Sequence, residues 1–121
     1  MLASCAGTKE PEHHDIFPAQ HKIEIQLLLG TTLEDPTNIR DAMISDPVLN
    51  PAAPIKRYYL CLKYNPREPN TKRYTGITEQ VAVFHNGHLN QLIAATPELC
   101  GRAAYKPYPE LQKLCFGTKC D

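Results

Sequence analysis

Two apolar-rich arms flank the dipeptide Asn86-Gly87 near the middle of the chain. Asn-Gly tolerates the positive φ angles that a two-residue β-turn requires, so the pattern predicts a β-hairpin over residues 80–93. A two-residue loop also fixes the register of the paired strands. The following residues are predicted to face each other: His85 and His88, Phe84 and Leu89, Val83 and Asn90, Ala82 and Gln91, and Val81 and Leu92.

A helical period runs through residues 21–33. Ile25, Leu29 and Leu33 recur at a spacing of four residues, which places them on one face of a helix. A shorter stretch inside this segment alternates as a strand does, but the longer period favours a helix. We expect the helix to end before Pro36, because the residue that precedes a proline avoids helical geometry.

Two further segments predict strands. Residues 42–45 predict an edge strand, because Pro47 shortly afterwards would interrupt the hydrogen bonds of a central one. Residues 57–65 alternate more strongly and predict the central strand of the sheet. One set of its side chains is expected to face the helix, and this set is Tyr58, Leu60, Leu62 and Tyr64. The opposite face would carry Tyr59, Cys61 and Lys63.

The order of these elements predicts an α+β fold. One N-terminal helix would pack on an antiparallel sheet of about four strands, and an irregular, disulfide-stapled C-terminal tail would follow with a short helix over residues 109–115. At 121 residues the chain has the length of one domain. We assign this domain to residues 18–121 and a flexible tether to residues 1–17.

Charge excludes one class of partner. Thirteen Lys and Arg residues balance thirteen Asp and Glu residues, and no basic block occurs, so the sequence does not predict a nucleic-acid partner. No apolar run approaches the roughly 18 residues of a membrane span. Any attachment to a membrane would therefore be covalent or peripheral.

Residues 2–5 read Leu-Ala-Ser-Cys, and this tetrapeptide resembles a bacterial lipobox, the end of an export signal before an acylated cysteine. The resemblance implies lipidation of Cys5 and anchorage at the periplasmic face of a bacterial membrane, with the outer membrane preferred. Residues 6–15 are polar and have no hydrophobic period, as expected of a tether. The charged and apolar parts of an export signal do not precede Cys5, so a late start, a trimmed sequence and an ordinary cysteine in a flexible tail stay open as explanations.

The cysteine count is odd, and lipidation of Cys5 would account for the unpaired one. The other four suit two disulfides in an oxidising compartment, and four cysteines allow three pairings. We favour Cys61 with Cys100 and Cys115 with Cys120. The alternative is free buried thiols in a cytoplasmic protein, and zinc is disfavoured because no C-x-x-C motif is present.

A second resemblance spans residues 21–111. Residues 35–42, 59–67 and 73–76, followed by a strand that ends near Phe84, are similar in order to segments of a set of small bacterial envelope proteins. Those proteins share a helix, an Asp-Pro turn, a Val-Cys strand, an Asn-containing loop and a Tyr-x-Gly step. The resemblance implies the helix and the pairing of Cys61 with Cys100, but it brings no assigned activity.

The sequence offers few candidates for chemistry. His85 and His88 are the best candidate metal ligands, but two imidazoles make a loose site and an exposed pair at a loop tip is the simpler interpretation. A cysteine nucleophile is disfavoured because bridges account for the cysteines more simply. Four tyrosines could form a binding surface or serve as core aromatics whose hydroxyls reach the rim, and these are Tyr58, Tyr59, Tyr64 and Tyr74.

Together these features predict a non-enzymatic, lipid-anchored envelope protein without a cofactor. It would act as a binding or accessory subunit of a larger envelope assembly. Its partners would be the membrane, reached through the lipid, and another protein of the cell envelope. The alternative is a soluble periplasmic protein that binds a small ligand or a metal ion.

Overall fold

The structure is a computed structural model that describes residues 16–50 and 57–114. These residues form one twelve-residue helix, two helices of four residues and six strands. In chain order the elements are α1 (His21–Thr32), β1 (Arg40–Ile44), β2 (Val48–Leu49), β3 (Tyr58–Asn65), β4 (Thr78–His85), β5 (His88–Ala94), α2 (Pro97–Cys100), β6 (Lys106–Pro107) and α3 (Pro109–Gln112).

All the strand pairs are antiparallel, in the order β5-β4-β3-β1-β6, and β2 pairs with the start of β3. The α+β class and the antiparallel sheet are therefore confirmed, but the count of about four strands was too low. The two additional strands, β2 and β6, have two residues each. Strands this short carry no periodic signal, and neither does the four-residue helix α2, which was also not predicted.

The central and edge positions were only partly predicted. Strand β3 pairs with β4 on one side and with β1 and β2 on the other, which confirms its central position. Strand β1 was expected at an edge, but it lies between β3 and β6, where Met43 faces Pro107. Pro47 does not interfere, because it lies after β1 in the connection to β2.

Helix α1 packs its predicted face on the sheet. Ile25 and Leu29 are buried, and Leu33 packs against the same core. The buried tyrosine Tyr108 contributes from the C-terminal part of the chain, where its hydroxyl donates to the carbonyl of Lys22 at 2.6 Å. The other fully or nearly buried members of this core are Ile39, Ala42, Ile44, Leu60, Leu62, Tyr64, Ala82, Phe84 and Leu111.

A smaller apolar cluster covers the opposite face of the sheet. It contains a disulfide between Cys61 and Cys100, as predicted, and Val81 lies fully buried beside it. The predicted bridge between Cys115 and Cys120, like Cys5, lies outside the described residues, so it stays a prediction. None of the helices in residues 16–50 and 57–114 is long and apolar enough to cross a membrane.

The predicted register of the β4–β5 hairpin was correct near the turn and wrong farther from it. His85 faces His88 and Phe84 faces Leu89, but a bulge at Asn90 then shifts the pairing by one residue. Leu89 and Leu92 both pack on the helix-side core, and strict alternation would have placed them on opposite faces. The observed inner pairs are Val83 with Gln91, Ala82 with Leu92, and Val81 with Ile93.

Candidate binding site at the hairpin edge

The side chain of Glu24 connects helix α1 to the start of β5 through hydrogen bonds. Its Oε1 atom accepts a hydrogen bond from the Leu89 amide at 2.7 Å, and its Oε2 atom lies 2.8 Å from Nδ1 of His88. The Glu24 side chain is 23% exposed, whereas the His88 ring is 75% exposed. The Glu24 carboxylate therefore already accepts the hydrogen bond of the Leu89 amide, which is the first outward-facing backbone donor of β5.

Strand β5 is the last strand on its side of the sheet, and no other strand in the described part of the chain pairs with its outer edge. The amide of Ala95 donates inward to the carbonyl of Glu79 at 3.3 Å. Since successive residues of an antiparallel strand alternate in direction, the amide of Ala94 points outward. Backbone groups at this edge are thus positioned to pair with an added strand.

An apolar groove lies beside this edge. It has a volume of about 340 Å³ and lies between α1 and β5, where it is lined by Glu24, Leu27, Leu28, Leu89 and Asn90. The side chain of Leu27 is two-thirds exposed, and Ile23, one turn earlier, is about half exposed. An open strand edge beside an apolar groove is the arrangement that proteins use to bind an extended polypeptide segment.

A larger cleft lies on the other face of the sheet. Its volume is about 640 Å³, and it separates β2 and β3 from the chain segment 97–104. Tyr59 and Cys61 belong to its lining, and Asp46, Glu98 and Arg102 contribute charges. It is therefore a second candidate binding site, separate from the hairpin edge.

The two candidate metal ligands, His85 and His88, lie opposite each other, but they are not joined by a third ligand in the described residues. His85 faces His88 directly, as the two-residue turn predicted. Among residues 16–50 and 57–114, no group of three or more His, Cys, Asp or Glu side chains is placed to hold a metal ion. The ring of His88 instead pairs with Glu24.

The two bonded cysteines and two of the four tyrosine candidates serve the structure. Cys61 and Cys100 are bonded to each other, so neither provides a thiolate. The buried hydroxyl of Tyr64 donates to Oε1 of Gln80 at 2.7 Å, and burial raises the pKa of Tyr64. The hydroxyl of Tyr74 donates to the Asn38 carbonyl at 2.6 Å. Tyr64 is therefore a core aromatic, and Tyr74 holds a loop in place, whereas Tyr59 lines the cleft on the other face of the sheet and stays a candidate for binding.

A buried ion pair that sequence reasoning did not identify joins the loop after α1 to the segment that follows β3. Oδ2 of Asp35 lies 3.0 Å from Nε of Arg67, and Oδ1 accepts hydrogen bonds from the backbone and hydroxyl of Thr37. Burial alone would raise the pKa of Asp35, but the Thr37 hydrogen bonds and the Arg67 charge outweigh it and hold this pKa below its ordinary value. All three groups are satisfied locally, so this cluster supports the fold.

The chain shows no significant similarity to a known protein family, to a characterised protein or to a solved structure.

The open edge of β5 was not identified as a candidate site from the sequence. One signal pointed to it, because Ile23 and Leu27 are apolar although they lie outside the stripe of Ile25 and Leu29. A surface helix normally carries polar residues at such positions.

Proposed function

We propose that this chain is a non-enzymatic, lipid-anchored envelope protein that binds another envelope protein at the outer edge of β5. The partner would contribute an extended segment that adds to the sheet as a further strand. The observation that supports this proposal is the open edge of β5 beside the apolar groove of Leu27, Leu28 and Leu89. Backbone hydrogen bonds would supply affinity, and a side chain in the groove would supply specificity.

The composition of β5 supports binding at this edge. Exposed edge strands are usually protected by lysine, by proline or by a bulge. The sequence of β5, His88–Ala94, contains no Lys, Arg, Asp, Glu or Pro. The bulge at Asn90 interrupts only its first half, which leaves residues 91–94 regular and uncharged.

The groove also indicates which segment would fit. Three leucines form most of its lining, and the carboxylate of Glu24 lies at its side. An apolar side chain of the partner would fill the groove, and a basic residue beside it would complement Glu24. We therefore expect a partner segment that alternates apolar residues with at least one lysine or arginine.

The lipid anchor is the second part of the proposal. A disulfide such as Cys61–Cys100 is typical of proteins from oxidising compartments, which is consistent with a periplasmic location. Residues 6–15 would separate the acylated Cys5 from the domain by at most about 35 Å. Partners at the same membrane surface, which we take to be the outer membrane, would then meet the domain at a raised effective concentration.

Replacement of Ala94 tests the strand edge. Ala94→Pro removes an outward amide and leaves the inward hydrogen bonds to β4 in place, so it should abolish co-purification of the partner from detergent-solubilised envelopes. The matched control Ala94→Ser keeps the amide and should retain the partner. Unchanged recovery with Ala94→Pro would exclude strand addition at β5.

Leu27→Lys provides a second test that does not alter the backbone. A lysine at this exposed position places a charge at the groove and should reduce partner recovery about tenfold, the effect of losing one buried leucine contact of about 1.5 kcal/mol. The control Ile77→Lys introduces the same charge at an exposed apolar position that lines neither the groove nor the cleft. Equal effects of the two variants would contradict a specific groove.

Intact mass of the protein made with its natural upstream sequence tests the anchor. Acylation at Cys5 should add the mass of the lipid, and each disulfide should lower the mass by two hydrogen atoms. A product without lipid would refute the anchor while leaving the strand-binding test valid.

A further inference from the structure

The cleft on the disulfide face has the size and rigidity of a small-molecule site. Its volume of about 640 Å³ falls within the range of roughly 300–1,000 Å³ that is usual for ligand pockets. The disulfide between Cys61 and Cys100 fixes one wall to the sheet. The wall is also held by its own hydrogen bonds, in which Thr96 accepts from the Leu99 amide at 3.3 Å and the Gly101 amide donates to the Pro97 carbonyl at 2.9 Å.

Part of the cleft lining is apolar. Val48, Tyr59, Cys61 and Leu99 contribute to it. Val48 is 47% exposed although it lies in a strand, so an apolar surface faces the open space of the cleft. A ligand with an aliphatic or aromatic body would remove this surface from water, which is favourable.

The cleft lining also carries charges of both signs. Asp46 and Glu98 provide carboxylates, and Arg102 provides a guanidinium group. Asp46 pairs with Lys106 at 2.8 Å, and the hydrogen bond from Lys106 lowers the pKa of Asp46, so this carboxylate stays ionised at neutral pH. Neither Glu98 nor Arg102 forms a salt bridge with another residue in the described ranges.

We propose that this cleft binds a short zwitterionic peptide with apolar side chains. The ammonium group of the peptide would bind the carboxylate of Glu98, and its carboxylate would bind Arg102. The apolar side chains would lie on Tyr59, Val48 and Leu99. This site is independent of the hairpin edge, since the two lie on opposite faces of the sheet and share no lining residue.

Titration of the full-length protein with the dipeptide Leu-Leu tests the proposal. We expect saturable changes in the NMR amide signals of Val48, Tyr59 and Leu99. N-acetyl-Leu-Leu-amide keeps the apolar body but lacks both end charges, so its affinity should be about tenfold lower. Equal affinities for the two probes, or signal changes confined to other residues, would overturn the proposal.

Two substitutions assign the charged contacts. Glu98→Gln and Arg102→Gln should each weaken Leu-Leu binding about threefold, as expected for exposed ion pairs, and neither should alter the affinity for the capped dipeptide. Arg73→Gln changes an exposed arginine outside the cleft and serves as the control. No binding of Leu-Leu to the folded protein at millimolar concentration would refute the site.

Discussion

The turn residue Gly87 combines a left-handed backbone conformation with close contact to another segment. Its φ is 82°, and that of Asn86 is 54°, which matches the turn expected from an Asn-Gly pair. A Cβ atom at Gly87 would lie 2.7 Å from Cγ2 of Ile16, whereas at Gly76, with a φ of 109°, it would meet nothing within 4 Å. Substitution of Gly76 would therefore introduce backbone strain alone, whereas substitution of Gly87 would add a steric clash with Ile16 to the same strain.

We predict that Gly87→Ala destabilises the protein more than Gly76→Ala does. Both variants carry a cost of about 1–2 kcal/mol for the positive φ. Gly87→Ala should cost about 1 kcal/mol more, because Ile16 has to move. Urea unfolding of the two variants measures the difference, and equal losses would mean that Ile16 shifts without cost.

The buried carboxylate of Asp35 predicts a dependence of stability on pH. Its folded-state pKa lies below the ordinary value of 3.8, so its ionised form stabilises the fold above this value. The contribution is lost as the pH falls through the lower, folded-state pKa. Asp35→Asn should lower the free energy of unfolding at pH 7 by about 2 kcal/mol, since it removes a charged partner of Arg67.

This prediction is checked by urea unfolding at about five pH values between roughly pH 2 and pH 7. The wild-type protein should lose stability on acidification more steeply than Asp35→Asn does. Glu34→Gln, which alters the exposed neighbouring carboxylate, is the matched control. Parallel pH profiles for wild type and Asp35→Asn would contradict the assignment.

At the scale of the elements, the packing of helix α1 accounts for the two hydrophobic patterns in its sequence, one helical and one strand-like. Ile25 and Leu29 face the sheet and give the helical period. Ile23 and Leu27 are exposed, and together with Ile25 they produce the strand-like alternation. The segment is a helix because its four-residue spacing builds a continuous buried face, and of the two additional apolar residues Leu27 lines the groove.

The contact of Glu24 with the hairpin predicts a local effect. Glu24→Ala should lower the free energy of unfolding by about 1 kcal/mol, because it leaves the Leu89 amide without its acceptor. Hydrogen exchange at that amide should accelerate more than at the inward amide of Ala95. Glu34→Ala is the control and should change stability by less than about 0.5 kcal/mol. Unchanged exchange at Leu89 would show that water replaces Glu24 equally well.

At the scale of the whole molecule, the disulfide joins the centre of the sheet to the chain after the hairpin. It links positions 39 residues apart, and a loop of this length corresponds to about 4 kcal/mol of stabilisation in the chain-entropy model. The double variant Cys61→Ser/Cys100→Ser should lose stability on this order in urea unfolding. A loss below about 1 kcal/mol would show that packing alone holds the segment.

The sequence by itself determined the features that depend on neighbouring residues. The period of α1, the Asn86-Gly87 turn and the two faces of β3 were all predictable, because helical spacing, turn geometry and strand alternation are local rules. The pairing of Cys61 with Cys100 was the favoured one of the three pairings that four cysteines allow, and the structure contains this bond.

Only the tertiary structure decided the rest. The bulge at Asn90 arises because Leu89 and Leu92 must both reach a core formed by distant parts of the chain. Strand β1 became an inner strand because Met43 pairs with Pro107, more than sixty positions away along the sequence. The groove and the cleft likewise lie between elements that are distant in sequence. Long-range contacts of this kind are selected by the packing of the whole domain, and no local pattern specifies them.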